Sequence, residues 1–202
     1  MERLQGPNFI PTWDSLVFKT AGQGVAIPWH RDAGTDCVDA RWPIFNVDVY
    51  LDRADLSTCV FGILGSNTWT AEEAGVRCRD LNRDVERGEV HTDGALPIPM
   101  EPGDVLFHDI LVLHGSRPSR SDLRRVVYLE FRPGEAELER GPHIPAYGPK
   151  KRQVLHAAIE HRRTAPWAAG ETPFVYRPDP AFADFPRKAP GSWRFDHGSW
   201  WR

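Results

Sequence analysis

A mainly β fold is expected from this sequence, on three observations. Most segments before residue 135 are short and rich in Val, Ile, Leu and Phe, clusters of Gly, Pro or Asp separate them, and helical periodicity is confined to two stretches. Short apolar runs between turn-forming clusters are how the strands of a sandwich or barrel read.

Strands are expected over 15–20, 25–31, 44–52, 60–64, 96–100, 105–113 and 125–131. Glu101-Pro102-Gly103-Asp104 and Arg117-Pro118-Ser119 are turn signals, and they bracket what reads as a single buried strand, 105–113. Thr70 followed by Glu73 fits a capping box and sets a helix over 71–87. A second helix starts at Gly148-Pro149, with Val154, Leu155, Ala158 and Ile159 on one face and basic residues crowding its last turn. Beyond Thr164 the composition turns to Pro, Trp, Phe and Asp without periodicity. Trp193, Trp200 and Trp201 in this tail need cover, as a seal on a sheet face, a homodimer contact or a lid over the barrel mouth.

At 202 residues, with 41% apolar and 26% charged side chains, one packed domain is expected. A net charge of −3 gives no positive field for nucleic acid or an anionic membrane. Apolar runs such as 110–113 fall far short of the roughly 20 residues of a membrane span. Cys37, Cys59 and Cys78 are odd in number and in no metal-site spacing, and 1–11 shows no signal segment, so the expected compartment is the cytoplasm.

The chemistry starts at His30-Arg31-Asp32, since residues two apart on a strand face one side and present an imidazole and a carboxylate together. A third ligand is offered by His114, where an apolar strand ends before the small residues Gly115 and Ser116. Two histidines and one carboxylate leave coordination positions open for a co-substrate and oxygen, which suits iron(II). His108 lies on the same nominal strand face and reads as structural. In 125–131, alternation places Arg125 inward with Val127, Leu129 and Phe131, and Arg124 outward with Tyr128 and Glu130. An inward arginine calls for a carboxylate, from the protein or from an anionic ligand. Asn46, Asp48 and Tyr50 form the polar face of one strand, which fits a pocket lining or an exposed sheet face equally well.

From about Leu16 to Phe131 the sequence resembles the phytanoyl-CoA dioxygenase family of iron(II)/2-oxoglutarate oxygenases. The resemblance rests on Val17-Phe18-Lys19, Trp29-His30-Arg31-Asp32, Val49-Tyr50-Leu51-Asp52, Leu64-Gly65-Ser66-Asn67, and Gly103-Asp104 through His114-Gly115-Ser116 to Arg125. It implies a double-stranded β-helix (jelly-roll, cupin-like) fold with a few flanking helices. The expected layout is one oxygenase domain over 1–202, with the jelly-roll core at about 15–132 and a helix and Trp/Pro-rich tail over 133–202. The resemblance implies iron(II) on His30, Asp32 and His114, with Arg125, eleven residues after His114, and Ser116 on the distal carboxylate of 2-oxoglutarate. It also implies that 2-oxoglutarate and O2 yield succinate and carbon dioxide while a small organic substrate is hydroxylated. Two features depart from the family: only 29 residues precede His30, and Asn67 stands where a His is common.

Asp32 argues against a halogenase of the same fold, which needs that carboxylate absent. The reading from another class is a jelly-roll protein that binds a metal without turnover. Substrate contacts are sought in 33–43, 68–94 and the tail, because variable loops carry specificity in such folds.

Overall fold

In the computed structural model, residues 1–20, 22, 25–32, 42–119, 123–140 and 147–183 are described. The elements run α1 (Glu2–Gln5), β1 (Phe9–Lys19), β2 (Ile27–His30), β3 (Phe45–Tyr50), β4 (Val60–Gly62), α2 (Ala71–Leu81), β5 (Leu96–Ile98), β6 (Val105–Asp109), β7 (His114–Ser116), β8 (Arg124–Pro133), α3 (Gly134–Arg140), α4 (Tyr147–Thr164) and α5 (Pro180–Ala183).

Two four-stranded sheets are ordered β1-β8-β3-β6 and β2-β7-β4-β5. The pairings of β3 with β6, β2 with β7, and β4 with both β5 and β7 are antiparallel. The chain passes repeatedly from one layer to the other, so that β7 enters between β2 and β4 and β8 enters between β1 and β3. The short apolar runs are strands of a mainly β fold, and their arrangement is the cupin-like jelly roll that the family resemblance implies.

Contacts divide the described residues into two compact units, those of Met1–Thr12, Trp42–Ile44 and Phe131–Arg202 in one and those of Trp13–Arg41 and Phe45–Glu130 in the other. In the first, Gln5 donates to the carbonyls of Pro43 at 2.7 Å and Phe131 at 2.6 Å, and Tyr176 donates to the Phe9 carbonyl at 3.0 Å. The second unit holds the main core, where Trp29 of β2, Tyr50 of β3, Leu81 of α2 and Val126 of β8 meet with Cys59 and Leu113, all fully buried. Each such large side chain contributes roughly 1.5–3 kcal/mol by leaving water.

Three expectations are corrected. The segment 105–113 is not one buried strand: β6 ends at Asp109, and β7 starts at His114 in the other sheet. The Asp109 side chain accepts from Leu111 N at 2.8 Å and its carbonyl from Val112 N at 2.9 Å, closing a turn that the apolar run Ile110-Leu111-Val112-Leu113 conceals. Val105 and Phe107 are also exposed rather than buried. The helix expected over 71–87 stops at Leu81, followed by a separate 3-10 turn, Val85–Arg87. On α4 the buried residues are Tyr147, Arg152 and Gln153, not the apolar set, because Arg152 donates to the Phe182 carbonyl at 2.7 Å and lies over the Phe182 ring.

Candidate metal centre

The centre is built where β2 meets β7. Their register sets His30 opposite His114, with an irregularity after Ile27, and brings the two imidazole centroids to 4.3 Å. The strands approach closely because residue 115 is glycine: a Cβ there would stand 3.1 Å from the Ile27 carbonyl oxygen and 3.2 Å from the Trp29 backbone. Asp32 follows β2, its N–H donating to the Ile110 carbonyl at 3.0 Å. Its carboxylate lies 3.3 Å from His30 Nε2 and 3.6 Å from His114 Nε2. One ligand atom from each of His30, Asp32 and His114 lies within 4.8 Å of the others.

The tautomers favour a cation. His30 Nδ1 lies 2.7 Å from the Pro28 carbonyl and His114 Nδ1 2.9 Å from the Val112 carbonyl, so each Nδ1 carries the proton and each Nε2 turns its lone pair inward. Asn46 donates to Asp32 Oδ2 at 2.6 Å and fixes the carboxylate. Burial by itself would raise the Asp32 carboxyl, but the hydrogen bond from His30 and the charges of His114 and His30 override it and hold the group at about 2. Burial is the first cause that brings His114 down to about 4, leaving it neutral and able to ligate. Burial would lower His30, but the Asp32 carboxylate raises it, so a divalent metal binding here would displace the His30 proton and meet two imidazoles and an ionised carboxylate.

The arginines fall the other way round from the expectation. Arg124 is fully buried, while Arg125 turns outward with its side chain 43% exposed, bound through Nε and Nη2 to both oxygens of Asp52 at 2.8 and 2.9 Å. Arg124, Val126, Tyr128 and Glu130 share one face of β8, where Arg124 and Val126 are fully buried and Tyr128 and Glu130 line a cavity. Val127 and Leu129 are half-buried on the other face, so apolar alternation marked a covered face and not the functional one. Arg124 donates through Nη1 to the Thr58 carbonyl at 2.7 Å, and its Nε and Nη2 have no protein partner. The buried Ser116 Oγ is likewise unpartnered.

Lys19, which motif spacing does not mark as a site residue, belongs here. It is buried at the end of β1, donates to the Arg117 carbonyl, and is brought down to about 7 by burial and by the charge of Arg124. Its signal is parity: Trp13, Ser15 and Val17 of β1 line the cavity, and Lys19 continues that face. The cavity measures about 410 Å³ and also takes in His30, Asp32, Asn46, His114, Ser116, Tyr128 and Glu130. Asp48 and Tyr50 are buried rather than on an exposed face, and His108 sits beside the centre, 3.1 Å from Asp48 Oδ2 and edge-on to His114 at 4.8 Å. Residues 33–41 and 184–202 lie outside the described residues, and with them most of one candidate substrate loop and Trp193, Trp200 and Trp201.

The family model described as phytanoyl-CoA dioxygenase (PhyH) matches residues 2–127. The chain belongs to this family. Phytanoyl-CoA dioxygenase-like proteins are iron(II)/2-oxoglutarate oxygenases, with iron(II), 2-oxoglutarate and O2 as their reacting set. Solved structures similar to this family member include EvdMO1, at 28% identity and a TM-score of 0.50 over 65% of this chain and 29% of that one. AviO1 from Streptomyces viridochromogenes is 26% identical, with a TM-score of 0.49 over 61% of this chain and 51% of its own. The non-heme monooxygenase ThoJ shares the fold at 18% identity, with a TM-score of 0.50 over 66% of this chain and 50% of its own. The chain thus spans roughly a third to a half of the structures it matches. No functionally curated protein matches it. Among the described residues no helix is long and apolar enough to cross a membrane.

Proposed function

We propose that this chain hydroxylates a small organic molecule, consuming 2-oxoglutarate and O2 and releasing succinate and carbon dioxide. The observation that carries the proposal is the convergence of His30, Asp32 and His114 within 4.8 Å, with both Nδ1 atoms tied to carbonyls. Iron(II), when bound by these three residues, supplies the oxygen-activating chemistry that side chains lack.

The residues around it do the positioning. Arg124 offers Nε and Nη2 as a fork, Ser116 offers Oγ, and Lys19 adds a second cation next to Arg124. Buried donors of this kind are costly unless an anion meets them, and a carboxylate matches the guanidinium fork in two parallel bonds. We assign the distal carboxylate of 2-oxoglutarate to Arg124, Lys19 and Ser116. Asn46 keeps the Asp32 carboxylate from swinging away.

The test is succinate formation by the full chain with iron(II), ascorbate and 2-oxoglutarate, without a prime substrate. Slow uncoupled turnover that is lost in Asp32→Ala is expected. A chain that binds metal but forms no succinate would support a binding protein instead.

A further inference from the structure

Arg31 stands between His30 and Asp32 and belongs to neither the ligand set nor the cavity lining. Its Nη2 donates to the Ser66 carbonyl and, at 3.1 Å, to the Trp69 carbonyl. These carbonyls belong to the 3-10 turn Ser66–Thr68 and to the residue that closes it, so one guanidinium nitrogen spans the turn. Ser66 reaches the other ligand segment. It is fully buried, and its Oγ accepts from Leu113 N at 2.8 Å and donates to the Ile63 carbonyl at 2.6 Å. Leu113 immediately precedes His114, and its carbonyl accepts from Ile63 N at 3.0 Å. One residue is therefore bonded through its carbonyl to the neighbour of His30 and Asp32, and through its hydroxyl to the neighbour of His114.

The strand ladder by itself holds this spacing weakly. The pairing of β2 with β7 is irregular between Ile27 and His30, and β2 ends at His30, before Asp32. A metal centre needs its ligands within about 0.5 Å of their working positions. Arg31 Nε is buried with no partner among the described residues, and an unmet donor costs free energy that an apolar side chain in this place would not. What the guanidinium adds is the pair of bonds from Nη2. We infer that Arg31 and Ser66 are positioning residues for the metal ligands, a relay from Arg31 through Ser66 to Leu113 that sets the distance of His30 and Asp32 from His114 and keeps coordination positions open. The relay rests on the oxygenase reading above and acts through the neighbours of the ligands.

Cobalt(II) and zinc(II) test it on the full chain, with affinities from calorimetry. The visible absorbance per bound cobalt(II), read at saturation, reports the ligand arrangement and not the fraction folded, because four-coordinate cobalt(II) absorbs more strongly than six-coordinate. Zinc(II) has no geometric preference of its own, so a loosened ligand set should cost it less. Arg31→Met and Ser66→Ala should each shift the cobalt-to-zinc affinity ratio about tenfold toward zinc, ~1.4 kcal/mol, and raise the absorbance per bound cobalt(II). Arg31→Lys, which keeps a charged donor, should recover part of the difference. The double variant should shift the ratio no further than the larger single change, since both residues belong to one relay. Variants that unfold more easily but keep the wild-type ratio and absorbance would overturn the inference, and so would additive shifts. Arg31 is only half-buried, so Arg31→Met alone decides if Ser66→Ala does not fold. A wild-type chain that binds neither ion would refute the metal centre and the relay with it, whereas wild-type binding with unchanged variants would refute the relay alone.

Discussion

Adjacent arginines on β8 have opposite environments, and the difference gives the sharpest test of the co-substrate site. Arg124→Met removes a buried fork with two unpartnered donors, so the dissociation constant for 2-oxoglutarate should rise by about 30-fold or more in calorimetry, ~2 kcal/mol. Arg125→Ala breaks a pair with Asp52 at the surface and should leave that constant unchanged. Lys19 adds a pH dependence. Burial and the Arg124 charge hold it at about 7, against 10.5 ordinarily. Between those values the unfolded chain binds the proton and the folded one does not, so this group makes stability rise with pH; below about 7 both states are protonated and the cost of the buried charge is present in full. Binding of 2-oxoglutarate needs the charged form and should weaken as pH rises through about 7. Calorimetry at pH 6 and 8.5 checks this, and in Lys19→Met the difference should vanish.

Strand β2 is short, and its hold on His30 depends on α2. Asn82, the residue after α2, accepts from Trp29 N at 2.8 Å and donates to the Trp29 carbonyl at 2.9 Å, so one side-chain amide pairs both backbone groups as a neighbouring strand would. Cys78 of the same helix reaches the Trp29 carbonyl at 2.8 Å. Asn82→Ala leaves the N–H of a buried residue unpaired and should cost about 1–3 kcal/mol in denaturant unfolding. Because Trp29 precedes His30, metal affinity should fall as well. Asn82→Asp keeps the acceptor, loses the donor, and should lie between wild type and Ala. This clamp also explains why the helix stops at Leu81: the next residue is committed to the strand.

Over the fold as a whole, metal binding and folding are linked, since the three ligands come from β2, the segment after it and β7, and are gathered only when the sheet is formed. A divalent ion at about 100 times its dissociation constant should stabilise the fold by about 2.7 kcal/mol. Thermal unfolding with manganese(II), a redox-quiet substitute for iron(II), should therefore show a raised Tm that a chelator reverses. Asp32→Ala should lose that rise, and its Tm without metal should fall below that of the wild type, because Asn46 and His30 lose the carboxylate they hold. A wild-type Tm unmoved by manganese(II) would count against the centre.

The class of fold and the metal ligands are legible in the amino-acid order alone, because both rest on local signals. Turn residues such as Gly103, with its positive φ, punctuate short apolar runs, and an HxD triplet followed by a strand-terminal His can be read without knowing what lies across the barrel. Only long-range packing decides which arginine is buried, that 105–113 bends into two strands of different sheets, that Lys19 is buried within reach of the Arg124 charge, and that Asn82 clamps Trp29. The cause is that apolar alternation reports which face of a strand is covered, not which face does chemistry. In β8 Val127 and Leu129 are half-buried on one face while Arg124, Tyr128 and Glu130 are gathered on the other, and nothing local to that strand distinguishes a cavity full of polar partners from solvent.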